Sequence, residues 1–456
     1  MSTALEALDE SGMQKFHLRT MFTAGMGFFT DAYDLFIIGT VTAILTPIWH
    51  LDTSELALLN SLSLAAAAFG AALFGPLMDR FGRKAIYGFE MVILTFGALL
   101  SAFAPSFAWL LVFRVIVGIG VGGNYPTSSV ITSEYSNRAQ RGYMVTMVFA
   151  MQGLGLLVGP LVAAGLLASG IGHDLVWRLM LAFGAIPAAS VIYLRRNLPE
   201  SPRFLLSVKK DQTAAKEVAE LLANAEPATP RVEEAPVVQN QMQSMLSRRN
   251  LIRLIGAAGS WFLIDIAFYG NSVSSQVIMK ALLPGAPLVT TVLVTALIFA
   301  VAAVPGYFVA AHYMDRLGRK RIQITGFLVM ALAYGSLLVV PTIVKVPLMF
   351  LVVYAISYFF VEFGPNTTTF LVPSEIFPTN LRGRGHGFSA ASGKIGAFVG
   401  AFFLPLVLKA IGLSSTMGLL AGVALLGVAL TWLAIPEMKQ VSLEANEISD
   451  QSPQAS

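Results

Sequence analysis

Asp31 and Asp34 stand three residues apart in Phe28-Phe29-Thr30-Asp31-Ala32-Tyr33-Asp34, inside a long apolar run and with no basic residue nearby in sequence. At helical spacing the two carboxylates share one face. A carboxylate with no cation beside it is costly to keep charged in hydrocarbon and far cheaper as the neutral acid, so it can take up and release protons. Asp31 and Asp34 are therefore expected on a proton pathway. The competing structural readings, for either carboxylate, are a cap on a backbone break or a buried pair with Arg114.

Trp261, Asp265 and Tyr269 recur at i, i+4 and i+8, a stripe that aims an indole N–H, a carboxylate and a phenol into one cavity. An aromatic stripe alone is ordinarily packing, but a carboxylate in its middle points to function. Asn366 adds an amide donor. Lys394 adds an ammonium with no acidic neighbour in its own helix, so an anionic substrate is its expected partner, with a buried pair to Asp265 as the structural alternative. Tyr125 and Gln152 are weaker candidates for the same cavity, and Glu362 takes no definite role from its position. His50, His173, His312 and His386 are scattered, so neither a metal site nor a histidine relay is expected, and no cofactor is called for.

Tyr125, Gln152, Trp261, Tyr269, Asn366 and Lys394 offer donors around one positive charge, and Asp265 is the odd acceptor. That set suits an oxyanion carrying its own proton. Phosphate at neutral pH keeps an O–H to give to Asp265, whereas sulfate would meet carboxylate repulsion instead.

The elements that must position these groups follow from composition. Hydrophobic residues make up 55% of the 456 residues and charged residues 12%, against about 25% charged in soluble domains. Apolar segments of about 20 residues, long enough to cross a hydrocarbon core of about 30 Å, fall at about 20–48, 57–78, 86–104, 108–132, 143–168, 177–195, 251–279, 288–313, 321–342, 347–372, 386–409 and 413–435. The expected fold is all-α and integral to the membrane, with twelve spans in two six-helix bundles: residues 1–196, then a linker at 197–250, then 251–437 and a tail at 438–456. The first 19 residues hold Glu6, Asp9, Glu10, Lys15, His17 and Arg19 and lack the apolar core of a cleaved signal peptide. Cysteine is absent, which excludes disulfides, thiolate metal sites and cysteine nucleophiles.

The net charge of +4 does not imply nucleic acid, because Lys and Arg concentrate on one side: Arg80, Arg83, Lys84, Arg138, Arg141, Arg195, Arg196, Arg203, Lys209, Lys210, Arg316, Arg319, Lys320, Arg382 and Arg384. That side, with both termini, is expected to be cytoplasmic. Lys209 to Ala223 has helical character, whereas Asn224 to Pro236 is rich in Pro, Ala and Glu and reads as linker.

Two repeats relate the halves. Gly75-Pro-Leu-Met-Asp79-Arg80-Phe81-Gly82-Arg83-Lys84 returns as Ala311-His-Tyr-Met-Asp315-Arg316-Leu317-Gly318-Arg319-Lys320, and Ser133-Glu134 with Arg141-Gly142 returns as Ser374-Glu375 with Arg382-Gly383. Topology alone would explain the basic residues but not the Asp and Gly at matching spacing. Asp79, Arg80, Arg83, Asp315, Arg316 and Arg319 are expected to gate by pairing across the half interface. Each Glu and the Arg seven residues on, Glu134 with Arg141 and Glu375 with Arg382, reads as a salt-bridge latch. Gly118, Gly120, Gly122 and Gly123 lie inside a span and read as close helix packing rather than a nucleotide loop.

The paired loops, with Arg114-Val-Ile-Val-Gly118-Ile-Gly120-Val-Gly122-Gly123, resemble the major facilitator superfamily over nearly the whole chain; Ala311 departs from the usual glycine. Phe28 to Phe36, Gly122-Gly123-Asn124-Tyr125-Pro126, Trp261 to Gly270, Phe363-Gly364-Pro365-Asn366-Thr367-Thr368 and Ser392-Gly393-Lys394 resemble the signatures of its phosphate:proton symporter family. That resemblance implies that Tyr125, Gln152, Trp261, Asp265, Tyr269, Asn366 and Lys394 bind phosphate and that Asp31 carries protons. Asn124, beside Tyr125 in the expected cavity, stands where the family usually has Asp, which implies a different proton route, phosphate species or substrate. The expected function is proton-coupled import of inorganic phosphate across an inner or plasma membrane by a monomer, not enzymatic catalysis. The alternatives are an organic-anion or sugar porter of the same fold and, from another class, a non-transporting nutrient receptor.

Overall fold

The computed structural model describes residues 3–196, 198–223 and 245–443. Among the described residues eleven helices are long and apolar enough to cross a membrane, and one of them is 53 residues long. At about 1.5 Å per residue that helix would far exceed a bilayer. It instead breaks at Gly412, where φ of 77° leaves helical geometry, and so supplies two crossings. Eleven helices thus make twelve spans: α1 (Lys15–Trp49), α2 (Thr53–Phe81), α3 (Arg83–Ala102), α4 (Phe107–Tyr135), α5 (Arg141–Ala168), α6 (His173–Arg195), α7 (Arg248–Val273), α8 (Leu288–Leu317), α9 (Arg319–Val339), α10 (Pro347–Ile376), α11 (382–411) and α12 (413–434).

The expected bounds hold except at the seventh span. Its helix ends at Val273 rather than near 279, and a separate helix covers Ser275–Leu282. In the connection between the halves Leu205–Lys209 forms a π turn and Gln212–Ala223 an α-helix, a later start than sequence suggested. The Pro- and Ala-rich stretch from Asn224 lies outside the described residues.

Glycine sets how closely the helices approach. A Cβ at Gly118 would collide with the Ser63 carbonyl, and one at Gly122 with that of Ala67, so α4 rests backbone-to-backbone on α2. Gly396 and Gly400 do the same for α11 against Phe262 and Ile266 of α7. Across the halves, Gly75 of α2 meets Gly383 and Gly387 of α11. Large apolar side chains such as Phe69, Phe96, Phe103, Ile186, Leu332 and Trp432 point outward, which suits lipid rather than water. The fold is two six-helix bundles whose interface runs through the centre of the molecule.

Candidate functional site

The centre of that interface holds Lys394, fully buried on α11. Its Nζ donates to Asp265 Oδ2 at 3.1 Å and to the Tyr269 hydroxyl at 2.7 Å, and lies 4.2 Å and 4.1 Å from the ring centroids of Tyr125 and Tyr269. The Tyr125 and Tyr269 hydroxyls are 2.9 Å apart across the two halves. Lys394 thus forms the buried pair with Asp265 that was its structural alternative, with Tyr125 and Tyr269 gathered around it. Trp261, one turn before Asp265, packs 5.9 Å from Tyr125. Asn366 donates to Tyr307 at 2.8 Å and to Glu362 at 2.5 Å. Gln152 is buried with neither end of its amide hydrogen-bonded, and Asp265 Oδ1 is likewise free; such groups are costly unless a ligand completes them.

Aromatic rings flank this cluster on both sides. On the side of the basic loops Phe149 stacks on Phe370 at 4.4 Å, with Phe28 at 4.9 Å from Phe370. On the other side Phe36 stacks on Tyr269 at 5.1 Å and packs against Phe268 at 5.4 Å. Beyond Phe36 opens a cavity of about 860 Å³ lined by Thr42, Asn60, Gln276, Lys280 and Lys409 among others.

Asp31 and Asp34 enter different surroundings. Asp34 forms an ion pair with Arg114 at 2.8 Å, which is the structural alternative foreseen for it. Asp31 has no cation bound to it; its Oδ2 accepts from Asn124 Nδ2 at 2.7 Å and its Oδ1 has no partner. Asn124 was expected to line the substrate cavity beside Tyr125. Consecutive helical residues point about 100° apart, and Asn124 turns instead into the N-terminal bundle, where its Oδ1 accepts from Arg195 at 2.6 Å and from Ser128 at 2.6 Å. Arg195 also pairs with Glu90 at 2.5 Å. Glu90 and Arg195 escaped the sequence reading. Glu90 is a lone carboxylate inside a span, a signal that was there to use; Arg195, last residue of the sixth span, passed for a topological loop charge, yet it is buried and turns inward.

The repeated loops meet across the interface on the basic face. Asp79 accepts from the backbone N–H of Gly383 at 3.0 Å and of Arg384 at 2.7 Å, and Asp315 accepts from Gly142 at 3.1 Å and Tyr143 at 2.7 Å. Each Asp thus caps the first turn of a helix in the opposite half, where an anion is favoured. Arg83 pairs with Glu134 at 2.9 Å and crosses to the Thr379 carbonyl at 2.8 Å, and Arg319 pairs with Glu375 at 2.7 Å. The latch differs from the spacing-based pairing. Glu134 takes Arg382 of the other half at 2.9 Å, because a seven-residue separation across a chain reversal does not bring Arg141 to it; Arg141 donates to the Val441 carbonyl at 2.9 Å and faces Asp9 at 3.4 Å. Arg80 and Arg316 are exposed, with no guanidinium ion pair among the described residues, and Arg80 lies over its neighbour Phe81. The reason is geometric: they follow the capping Asp by one residue and so point off the interface.

Two carboxylates missed in sequence complete this face. Glu200 accepts from the N–H groups of Arg83 at 3.1 Å and Lys84 at 3.2 Å, and Glu437 does the same for Arg319 at 3.0 Å and Lys320 at 3.2 Å. Burial pushes the Glu200 carboxyl up from the ordinary glutamate range, offset in part by the Ser201 N–H and the Arg83 charge. Asp9 binds Arg203 at 2.5 Å and accepts from Ser442 at 3.1 Å. No cluster of His, Cys, Asp and Glu among the described residues could hold a metal ion.

The family described as "Sugar (and other) transporter" matches residues 20–448. The chain is 35% identical over 494 residues to "Probable inorganic phosphate transporter 1-6" of Arabidopsis thaliana, covering 96% of this chain and 95% of that one. It is also 35% identical to "Inorganic phosphate transporter 1-2" of Oryza sativa subsp. japonica, covering 96% and 95%. Among solved structures the proton:xylose symporter XylE bound to 6-bromo-6-deoxy-D-glucose superposes with a TM-score of 0.80 at 20% identity, covering 95% of this chain and 99% of that one. The inward open form of XylE from E. coli gives 0.69. Two bundles around a buried polar centre, a repeated interface lock and full-length similarity to transporters agree that this is a membrane transporter and not an enzyme, and that the chain belongs to the sugar (and other) transporter family of the major facilitator superfamily, together with the inorganic phosphate transporters.

Proposed function

We propose that the protein imports inorganic phosphate by symport with protons. The observation that carries this reading is the single buried ammonium of Lys394 set among Asp265, Tyr269 and Tyr125 at the interface of the two halves, in a chain 35% identical over its length to inorganic phosphate transporters. Lys394 supplies the charge, Gln152, Asn366, Trp261 and the tyrosines the donors, and Asp265 the acceptor for the substrate's own O–H. Asp31 carries the proton, held beside Asn124 in the N-terminal half; Asp34, tied to Arg114, holds the same pathway in shape. The basic face is cytoplasmic, with both termini there, and the unit of transport is a monomer in the cell membrane.

Alternating access follows from the two aromatic closures. Phe36 leaves Tyr269 to admit the anion from the outer cavity, and the Phe28, Phe149 and Phe370 group parts, with release of the Asp79 and Asp315 caps, to deliver it. Proteoliposome uptake of radiolabelled phosphate, with and without an inward proton gradient, tests the reading. Accumulation above the outside concentration is expected only with the gradient, with sulfate a poor competitor. A chain that ignores phosphate but takes up a sugar or a carboxylate would overturn it.

A further inference from the structure

Glu362 is the buried carboxylate that phosphate binding and the Asp31 pathway leave unused. It is fully buried on α10. Its Oε2 accepts from Asn366 at 2.5 Å and the Tyr307 hydroxyl also bonds to the carboxyl, while Oε1 is left without a close donor. The groups that face it are Tyr307 from α8, Tyr334 from α9, Tyr358 one turn earlier on α10, Asp265 from α7 and Tyr125 from α4 across the interface. None is a cation, and no Lys, Arg or His among the described residues pairs with Glu362. The other carboxylates in the spans differ: Asp34, Glu90 and Asp265 each have a cation at hydrogen-bond distance. Among the described buried carboxylates of the spans, Asp31 alone shares the condition of Glu362. A carboxylate buried without a countercharge holds a proton.

A second observation places Glu362 at a bend in its helix. The helix of α10 widens to a π turn over Glu362–Asn366, and Gly364 leaves helical geometry at φ −105° and ψ −111°. Such turns are where a helix bends, and they recur at functional positions. The next polar residue of the turn, Asn366, is itself part of the anion cavity. An arriving anion would meet Asp265 and an ionised Glu362 as two like charges; a protonated Glu362 removes one of them, so proton and anion favour each other's binding.

We propose that Glu362 is a second proton-binding site, in the C-terminal half, filled from the side of anion entry and emptied to water on the other side once the anion has left. This rests on the phosphate symport reading and adds a stoichiometry to it: two protons per anion, one at Asp31 and one at Glu362. The test measures the dihydrogen phosphate gradient at which net flux stops in proteoliposomes with the voltage shunted. Each coupled proton contributes roughly tenfold per pH unit. Wild-type protein should stop near roughly 100-fold per pH unit, Glu362→Gln near roughly tenfold, and Glu362→Asp should recover the wild-type value. A wild-type value near tenfold overturns the proposal without recourse to any variant, as does a Gln variant that matches wild type. If the Gln variant does not transport, the Asp variant decides: recovery supports the proposal and failure to recover overturns it. Absence of any gradient-driven accumulation by wild type would instead sink the symport reading, and this inference with it.

Discussion

At the scale of single residues, two buried cations do different work. Lys394 stands among donors and acceptors that are incompletely used, whereas both terminal nitrogens of Arg195 are taken by Glu90, Asn124 and Ser128. Lys394→Ala should weaken phosphate binding by about 3 kcal/mol, roughly 100-fold, since a buried charge loses its partner and the anion its counter-charge. Arg195→Leu should leave binding largely intact but cost about 3–5 kcal/mol of stability by stranding Glu90. Calorimetric affinity and thermal melting of the purified protein separate the two; a collapse of binding in both variants would show that Arg195 belongs to the substrate site. The same contrast shows what was legible beforehand. Lys394, Asp265 and Asn366 stood out because a polar residue deep within an apolar run is too costly to persist in hydrocarbon without a partner or a pathway to serve. Arg195 did not, because a basic residue at a span end is what topology alone would supply. Nor could Asn124 be placed: without the rotation of α4 relative to α1, its neighbour Tyr125 suggested the wrong cavity.

At the scale of elements, span number and the glycine packing of α4 were readable because length and hydropathy set the first and small residues at helical spacing the second. The π turn of α10 and the break after Val273 were not, because each depends on contacts from other helices. Packing also gives a prediction. Gly122 lies against the backbone carbonyl of Ala67, which cannot move aside as a side chain could. Gly122→Val should separate α2 from α4 and destabilise the N-terminal bundle by about 1–3 kcal/mol. Gly422, with open space around its α carbon, serves as control: Gly422→Ala should leave the melting temperature unchanged. Equal effects from both would mean that α4 and α2 do not meet as closely as described.

For the whole molecule, the halves are held by a thick basic-face lock and by a thin aromatic closure at Phe36. Asp79→Asn with Asp315→Asn keeps the size of each cap but removes two charges from the first turns of opposing helices, worth about 0.3–2 kcal/mol each. The double variant should shift the resting population toward the form open on the basic face by roughly tenfold. The chain has no cysteine, so a single introduced pair of labels, one on each loop, reads that distance without background. A distance distribution identical to wild type would show that the caps do not hold the closed state. The partners in this lock could not be inferred from spacing, because Glu200 and Glu437 act on residues 117 and 118 positions away.

The contact between Asp9 and Ser442 joins residues 433 positions apart. At about 5–20 residues per second, a ribosome needs about 20 to 90 s to travel from one to the other. From the time residue 203 is made, Asp9, Arg141 and Arg203 stand together but lack Val441 and Ser442, which do not yet exist. Biogenesis therefore passes through a state in which the Asp79 and Asp315 caps can already form while the tie from Asp9 to Ser442 is still missing. A nascent chain stalled between the second bundle and Val441 would hold both caps yet lack the ties that Asp9 and Arg141 make to the segment after α12.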